Sequence, residues 1–136
     1  MFAALCDDDK YITEEIKKLL LEYAKDNRIT IDIDEFESGE ELLNSEKNYD
    51  IIVLDYQLGS TNGLTVAKEL RKRNVLSSII FLTSYPNFMI DAFEVNTFRF
   101  LLKPIDKSKF FKAIDDYIKI VDANYPITII QNKELK

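Results

Sequence analysis

The chain has 136 residues, 46% of them hydrophobic and 31% charged, and carries a formal net charge of -6. A chain of this length builds one core without staples, and its balance of apolar and charged residues excludes disorder as the default. It contains no histidine and one cysteine, which excludes disulfide frameworks and histidine-based metal or triad chemistry, while the acidic balance argues against this segment gripping phosphate backbones by itself.

Taken in chain order, the apolar run Phe2–Cys6 predicts a strand ending in Asp7, Asp8 and Asp9, with Cys6 as a buried, inert thiol. Asp9 reads as the N-cap of a helix on which Ile12, Ile16, Leu19, Leu20 and Tyr23 share one face. A second strand is predicted over Thr30–Phe36, and Ser38 with Glu41 forms a capping-box signature for a short second helix. The third strand, Ile51–Leu54, ends at Asp55, and the Asn62-Gly63 turn leads into a helix carrying Leu64, Ala67 and Leu70. A fourth strand over Ile79–Leu82 precedes a helix from Asn87 to Val95 with Ile90 and Phe93 inward. A fifth strand, Phe98–Leu102, leads to a helix from Asp106 to Asp122 that buries Phe111, Ile114, Ile118 and Val121. Strands alternating with helices imply an α/β fold, a doubly wound five-stranded parallel sheet with helices on both faces. Residues 1–122 form this domain. In residues 123–136, Pro126 is punctuation and Ile127 and Ile129 alternate like the start of a strand, so the segment reads as a linker or the start of a truncated output domain. No segment approaches the length of a membrane span and no signal peptide is present, so the expected location is the cytoplasm with no membrane partner.

Doubly wound sheets carry their sites at the carboxyl ends of strands, beside the point where strand order reverses. Asp7 and Asp8 follow the first strand, Asp55 the third, Thr83 the fourth and Lys103 the fifth, so four separate runs converge on one edge. Two like charges about 5 Å apart repel by roughly 3 kcal/mol at an effective dielectric near 20. Three carboxylates together therefore call for a cation, and oxygen-only ligands select a hard one, with magnesium suited to a site shared with water and phosphate. An acid nucleophile, a divalent ion, an ammonium and a hydroxyl together fit phosphoryl transfer onto a carboxylate.

Asp7-Asp8, the run "IIVLD" ending in Asp55, Gly63 eight residues later, "IIFLTS" with Thr83 and "FLLKPI" with Lys103-Pro104 resemble the receiver domain of two-component response regulators, a flavodoxin-like fold. The resemblance covers residues 1 to about 122. It implies that Asp55 accepts a phosphoryl group from the phosphohistidine of a sensor histidine kinase, the only chemistry being transfer to and from its own aspartate. It implies a magnesium ion held by Asp8, Asp55 and the backbone carbonyl of Gln57, with Asp7 acting through water, and Lys103 paired with the phosphoryl group. It implies a cis bond at Lys103-Pro104, which is inexpensive before proline, and a switch in which Thr83 moves toward the phosphoryl oxygens while Phe100 rotates into the vacated space. The output face would be the fourth helix, fifth strand and fifth helix, and a homodimer formed on phosphorylation is compatible with it. The run "FEVNTFRFLLKPID" and the tail after it are similar to receivers of the LytTR class, which places DNA in an output domain outside this chain and makes transcription the regulated process.

Departures from the pattern carry their own expectations. Gly59 stands where proline is commoner, which gives that loop more freedom. Arg99 stands where LytTR-class receivers often carry an acid. Gln57 and Tyr85 occupy the two positions beside the path of attacking water, and Tyr85 in that place would shield an acyl phosphate and slow its loss. Two alternatives stay open, a stand-alone receiver signalling by protein contact and a magnesium-dependent phosphatase of related fold. The second needs an acid two residues after its nucleophile, where this chain has Gln57. A flavin-binding relative of the fold is disfavoured by "DDDKY", which repels phosphate, and by a total of three glycines.

Overall fold

A computed structural model describes residues 1–133 in backbone and residues 1–122 in side chain. It divides into two compact units, Met1–Ile105 and Asp106–Lys136. The first unit runs β1 (Phe2–Cys6), α1 (Lys10–Asn27), β2 (Asp32–Phe36), α2 (Gly39–Asn44) and β3 (Ile51–Leu54). The two-residue strands β4 (Gln57–Leu58) and β5 (Thr61–Asn62) follow, then α3 (Gly63–Lys72) and β6 (Ser78–Thr83). A short helix α4 (Met89–Ala92) between two 3-10 turns leads to β7 (Arg99–Leu102).

Five of these strands form one parallel sheet in the order β2-β1-β3-β6-β7. Strand order reverses between β1 and β3, so their carboxyl ends lie side by side at the switch point. Both strands are buried along nearly their whole length, as a sheet covered on its two faces requires. On one face Cys6, Leu54 and Phe81 join Leu42 of α2, Val66 of α3 and Ala92 of α4 in a continuous core. The edge strand β2 carries three acids, Asp32, Asp34 and Glu35, beside half-buried Ile33 and Phe36, and its charges discourage pairing with another chain. There the buried Tyr49 hydroxyl donates to Asp34 Oδ2 at 2.6 Å, so Tyr49 keeps a polar partner while its ring packs edge-on to Phe36.

The expected caps are present. Asp9 accepts from the Tyr11 N–H at the start of α1, and Ser38 accepts from the Glu41 N–H at the start of α2. Asn62 caps α3 through the Thr65 N–H. The loop after Asp55, expected to have extra freedom, is closed by antiparallel pairing of β4 with β5. Gly59 supplies its turn with φ of 69°, a left-handed conformation closed to proline.

Three expectations about helices are corrected. The α4 segment opens as a 3-10 turn at Pro86, so its inward stripe is Phe88, Ala92 and Val95, while Ile90 and Phe93 face solvent. The second unit is the helix α5 (Lys107–Lys133). In it Phe110, Ala113 and Ile114 are buried, Phe111 and Ile118 are half-buried and Val121 is exposed. Adjacent phenylalanines made two stripes equally periodic, and the sequence alone favoured the wrong one. The backbone also stays helical past Pro126 to Lys133, where the start of a strand was expected. A strand requires a hydrogen-bonding neighbour, whereas a helix satisfies its own backbone groups. The rest of the expected output-domain start, residues 134–136, lies outside the described residues.

Gly63 fixes how closely α3 approaches the sheet. Its N–H donates to the Tyr56 carbonyl at 2.6 Å, and a Cβ at this position would overlap the Asp55 carbonyl oxygen. Gly63→Ala is therefore expected to cost about 1–3 kcal/mol, read from the urea midpoint of equilibrium unfolding. An unchanged midpoint would mean that the start of α3 yields without cost.

Candidate functional site

The ladders themselves deliver the acids. The Asp7 N–H donates to the Phe36 carbonyl at 3.2 Å and the Asp55 N–H donates to the Cys6 carbonyl at 3.1 Å, so both residues continue the ladder just past their strand ends. Asp7 and Asp55 are 5% and 6% exposed, whereas Asp8 faces solvent. One carboxylate oxygen from each of Asp7, Asp8 and Asp55 lies within 4.8 Å of the others. Backbone donors fix the two buried groups, the Asp9 N–H on Asp7 Oδ1 at 2.9 Å and the Tyr56 N–H on Asp55 Oδ1 at 2.7 Å.

Lys103 arrives from β7. Its N–H donates to the Thr83 carbonyl at 2.8 Å, and its ammonium sits 3.0 Å from Asp7 Oδ2 and 3.1 Å from Asp55 Oδ2. The Lys103-Pro104 bond is cis, as the resemblance implied. Thr83 is fully buried at the end of β6, and its hydroxyl accepts from the Tyr85 N–H at 3.3 Å. Phe100 is half-buried, with its ring 5.1 Å from that of Phe88 and 6.2 Å from that of Phe81. Gln57 is exposed in β4, and its side-chain oxygen accepts from the Tyr85 hydroxyl.

Electrostatics follow from this packing. Burial raises the Asp7 carboxyl above its ordinary value, with Asp55 adding to the rise, against the opposing pull of the Asp9 N–H and Lys103. Burial acts to lower Lys103, but its hydrogen bonds and charge interactions with Asp7 and Asp55 outweigh this and leave the ammonium raised. Behind the acids, burial and then the charges of Asp7 and Asp55 push the Cys6 thiol up to about 12, the inert thiol expected. With the three acids ionised, three carboxylates and one ammonium leave two negative charges. The oxygen-only donor set and this residual charge fit a hard divalent cation.

The residues expected at the site therefore come together, with Phe100 set back in the aromatic packing beside it. The sequence reading missed the Tyr56 N–H as the clamp on Asp55 and the hydrogen bond joining Gln57 to Tyr85. A signal for the second was present, since each residue lies two positions past a site residue at the ends of paired strands β3 and β6.

Residues 3–115 match the family model of the response regulator receiver domain. The chain is 34% identical over 120 residues to the sensory transduction protein LytT of Bacillus cereus, covering 88% of this chain and 48% of that protein. That name agrees with the LytTR-class resemblance, and the chain spans about half the length of the curated relatives it matches. Among solved structures it is similar to the response regulator TrrA of Thermotoga maritima in complex with Mg(2+)-BeF, at 28% identity and a TM-score of 0.74, covering 85% of this chain and 97% of that one. The response regulatory domain of protein mrkE from Klebsiella pneumoniae gives a TM-score of 0.81 at 20% identity, covering 91% of this chain and 100% of that one, a likeness of fold. The family match spans most of the chain and includes Asp7, Asp8, Asp55, Thr83 and Lys103: this chain belongs to the response regulator receiver domain family.

Proposed function

We propose that Asp55 is the phosphoacceptor of a two-component pathway, charged by the phosphohistidine of a sensor histidine kinase. The observation that carries the reading is the Lys103 ammonium bridging Asp7 and Asp55 while Asp8 completes an acidic cluster at the switch point. An Asp55 oxygen attacks phosphorus as the phosphorus–nitrogen bond of the donor breaks, and the bonding pair leaves with the imidazole nitrogen. The Tyr56 N–H holds one Asp55 oxygen and Lys103 the other, so the nucleophile is oriented before the donor arrives. Lys103 then neutralises charge on the transferring group. Magnesium would be held by Asp8, Asp55 and the Gln57 carbonyl, with Asp7 acting through water. When bound, it supplies charge neutralisation for the phosphoryl oxygens.

The phosphoryl group offers acceptors to the Thr83 hydroxyl, and Phe100 takes up the space that Thr83 leaves. Output runs through a domain outside this chain, of LytTR type, that binds DNA and regulates transcription in the cytoplasm, with dimer formation on phosphorylation. Among the described residues, no helix is long and apolar enough to cross a membrane.

Incubation with a small phosphodonor and magnesium, read by intact mass, is expected to add one phosphoryl group. The adduct is lost in Asp55→Asn and when the metal is chelated; a phosphoryl group on a serine would overturn the assignment. Tyr85 is proposed to shield the acyl phosphate, so Tyr85→Ala is expected to shorten its lifetime. An unchanged lifetime would discard the shielding role.

A further inference from the structure

Asn62 ends a turn and Gly63 begins a helix, but the pair also carries a chemistry of its own. In an Asn-Gly sequence the glycine nitrogen can attack the asparagine side-chain carbonyl carbon, because no Cβ on the following residue stands in its way. The new nitrogen–carbon bond closes a five-membered succinimide as the side-chain carbon–nitrogen bond breaks, and ammonia leaves with the proton of the glycine N–H. Water then opens the ring at either carbonyl, giving aspartate or, with one methylene moved into the main chain, isoaspartate. Asn62 is the one asparagine of the chain that a glycine follows.

The fold holds each participant of that ring closure in place. The Asn62 side-chain oxygen accepts from the Thr65 N–H at 2.8 Å, which keeps the amide over the first turn of α3. The Gly63 N–H donates to the Tyr56 carbonyl at 2.6 Å, so the attacking nitrogen is engaged elsewhere. Asn62 is extended, with ψ of 163°, and pairs with Gln57 across β4 and β5. Ring closure requires the main chain to swing about this same bond and bring the Gly63 nitrogen level with the side chain. Reaction therefore waits for the start of α3 to open.

The two products differ in what they do to the site. Aspartate at position 62 keeps an acceptor for the Thr65 N–H and caps a helix as well as asparagine does. Isoaspartate lengthens the main chain between β5 and α3, where Gly63 is packed so closely that a Cβ would overlap the Asp55 carbonyl oxygen. The displacement falls on Tyr56, whose carbonyl holds the Gly63 N–H and whose own N–H holds Asp55 Oδ1 at 2.7 Å. We propose that Asn62-Gly63 is a site of spontaneous deamidation that the folded chain keeps closed, and that its isoaspartyl product disables the Asp55 site. The second half of the inference rests on the reading of Asp55 as phosphoacceptor.

The test incubates the full chain at mildly alkaline pH, folded in one arm and unfolded in urea in the other. The peptide containing residues 62 and 63 is followed by mass mapping. Deamidation at Asn62 is expected to run at least about tenfold slower in the folded arm, since it needs an opening of the α3 start. Equal rates in the two arms, or an Asn62 that keeps its amide in urea, would overturn the proposal. The isoaspartyl chain is then separated, refolded and titrated with beryllofluoride and magnesium, read by amide NMR beside a refolded parent. It is expected to bind at least about tenfold more weakly, the loss of one well-placed contact to a charged group, with shifted amides confined to the Asp55 loop and the start of α3. Asn62→Asp, which carries the same charge without the added methylene, is expected to bind within about twofold of the parent. Parent-like affinity of the isoaspartyl chain, equal weakening in Asn62→Asp, or an isoaspartyl chain unfolded throughout would overturn the disabling role. Failure of the parent to bind beryllofluoride would overturn the phosphoacceptor reading and that role with it, while the two deamidation rates still decide whether the fold closes the site.

Discussion

Negative charge fixed at the carboxyl ends of β1 and β3 is the constraint around which the rest of the site is arranged. Asp7 and Asp55 cannot drift apart, because their own N–H groups extend the ladders of the sheet. Their burial removes most of the water that would otherwise screen them. Lys103 answers one oxygen of each, and backbone N–H groups answer the others. Asp8, facing solvent beside them, adds to the negative charge that Lys103 does not balance. A site of this kind is held for chemistry at the expense of stability. Asp7 carries that sign and Lys103 the opposite one: the raised Asp7 carboxyl disfavours the ionised fold as pH rises from the ordinary carboxylate range through its folded value. The raised Lys103 ammonium contributes stability that is fully present below the ordinary lysine range and is lost as pH rises through its folded value.

Around this fixed charge the structure separates what is rigid from what can change. The acids rest on central strands and on α3, whose start is pressed against the Asp55 carbonyl at Gly63. Thr83 leads instead into a short irregular segment, a three-residue 3-10 turn and a four-residue helix. The rings of Tyr56, Phe88 and Phe100 form a contiguous path from the Asp55 loop to β7. Such a path is the kind of packed contact through which a two-state loop and a distant ring bias each other.

Much of this was legible in the sequence, for physical reasons. Apolar runs such as Ile51–Leu54 can be little other than buried strands in a chain that alternates with helical periods, and an acid ending such a run is costly enough to mark a site. Caps at Asp9 and Ser38 are local, so their side-chain chemistry sufficed. The α4 segment was misread because Pro86 sets its start and thereby shifts its inward face by two residues, from Ile90 and Phe93 to Ala92 and Val95, an effect that periodicity cannot register. The continuation of α5 past Pro126 was missed because strand and helix patterns coincide over so few residues. The Tyr85–Gln57 bond and the Tyr56 clamp depend on how loops fold back over the ends of β3 and β6, information that resides in tertiary geometry.

The central claim is that the three acids form one site for a divalent cation, and heat stability with and without magnesium tests it most directly. Without the ion, Asp8→Ala is expected to melt above the parent chain, since it removes a charge that Lys103 does not balance. Added magnesium is expected to raise the parent's Tm by a few degrees and leave that of Asp8→Ala unmoved, because only a folded site that binds the ion gains from it. A parent Tm indifferent to magnesium, or an equal rise in both proteins, would contradict the account.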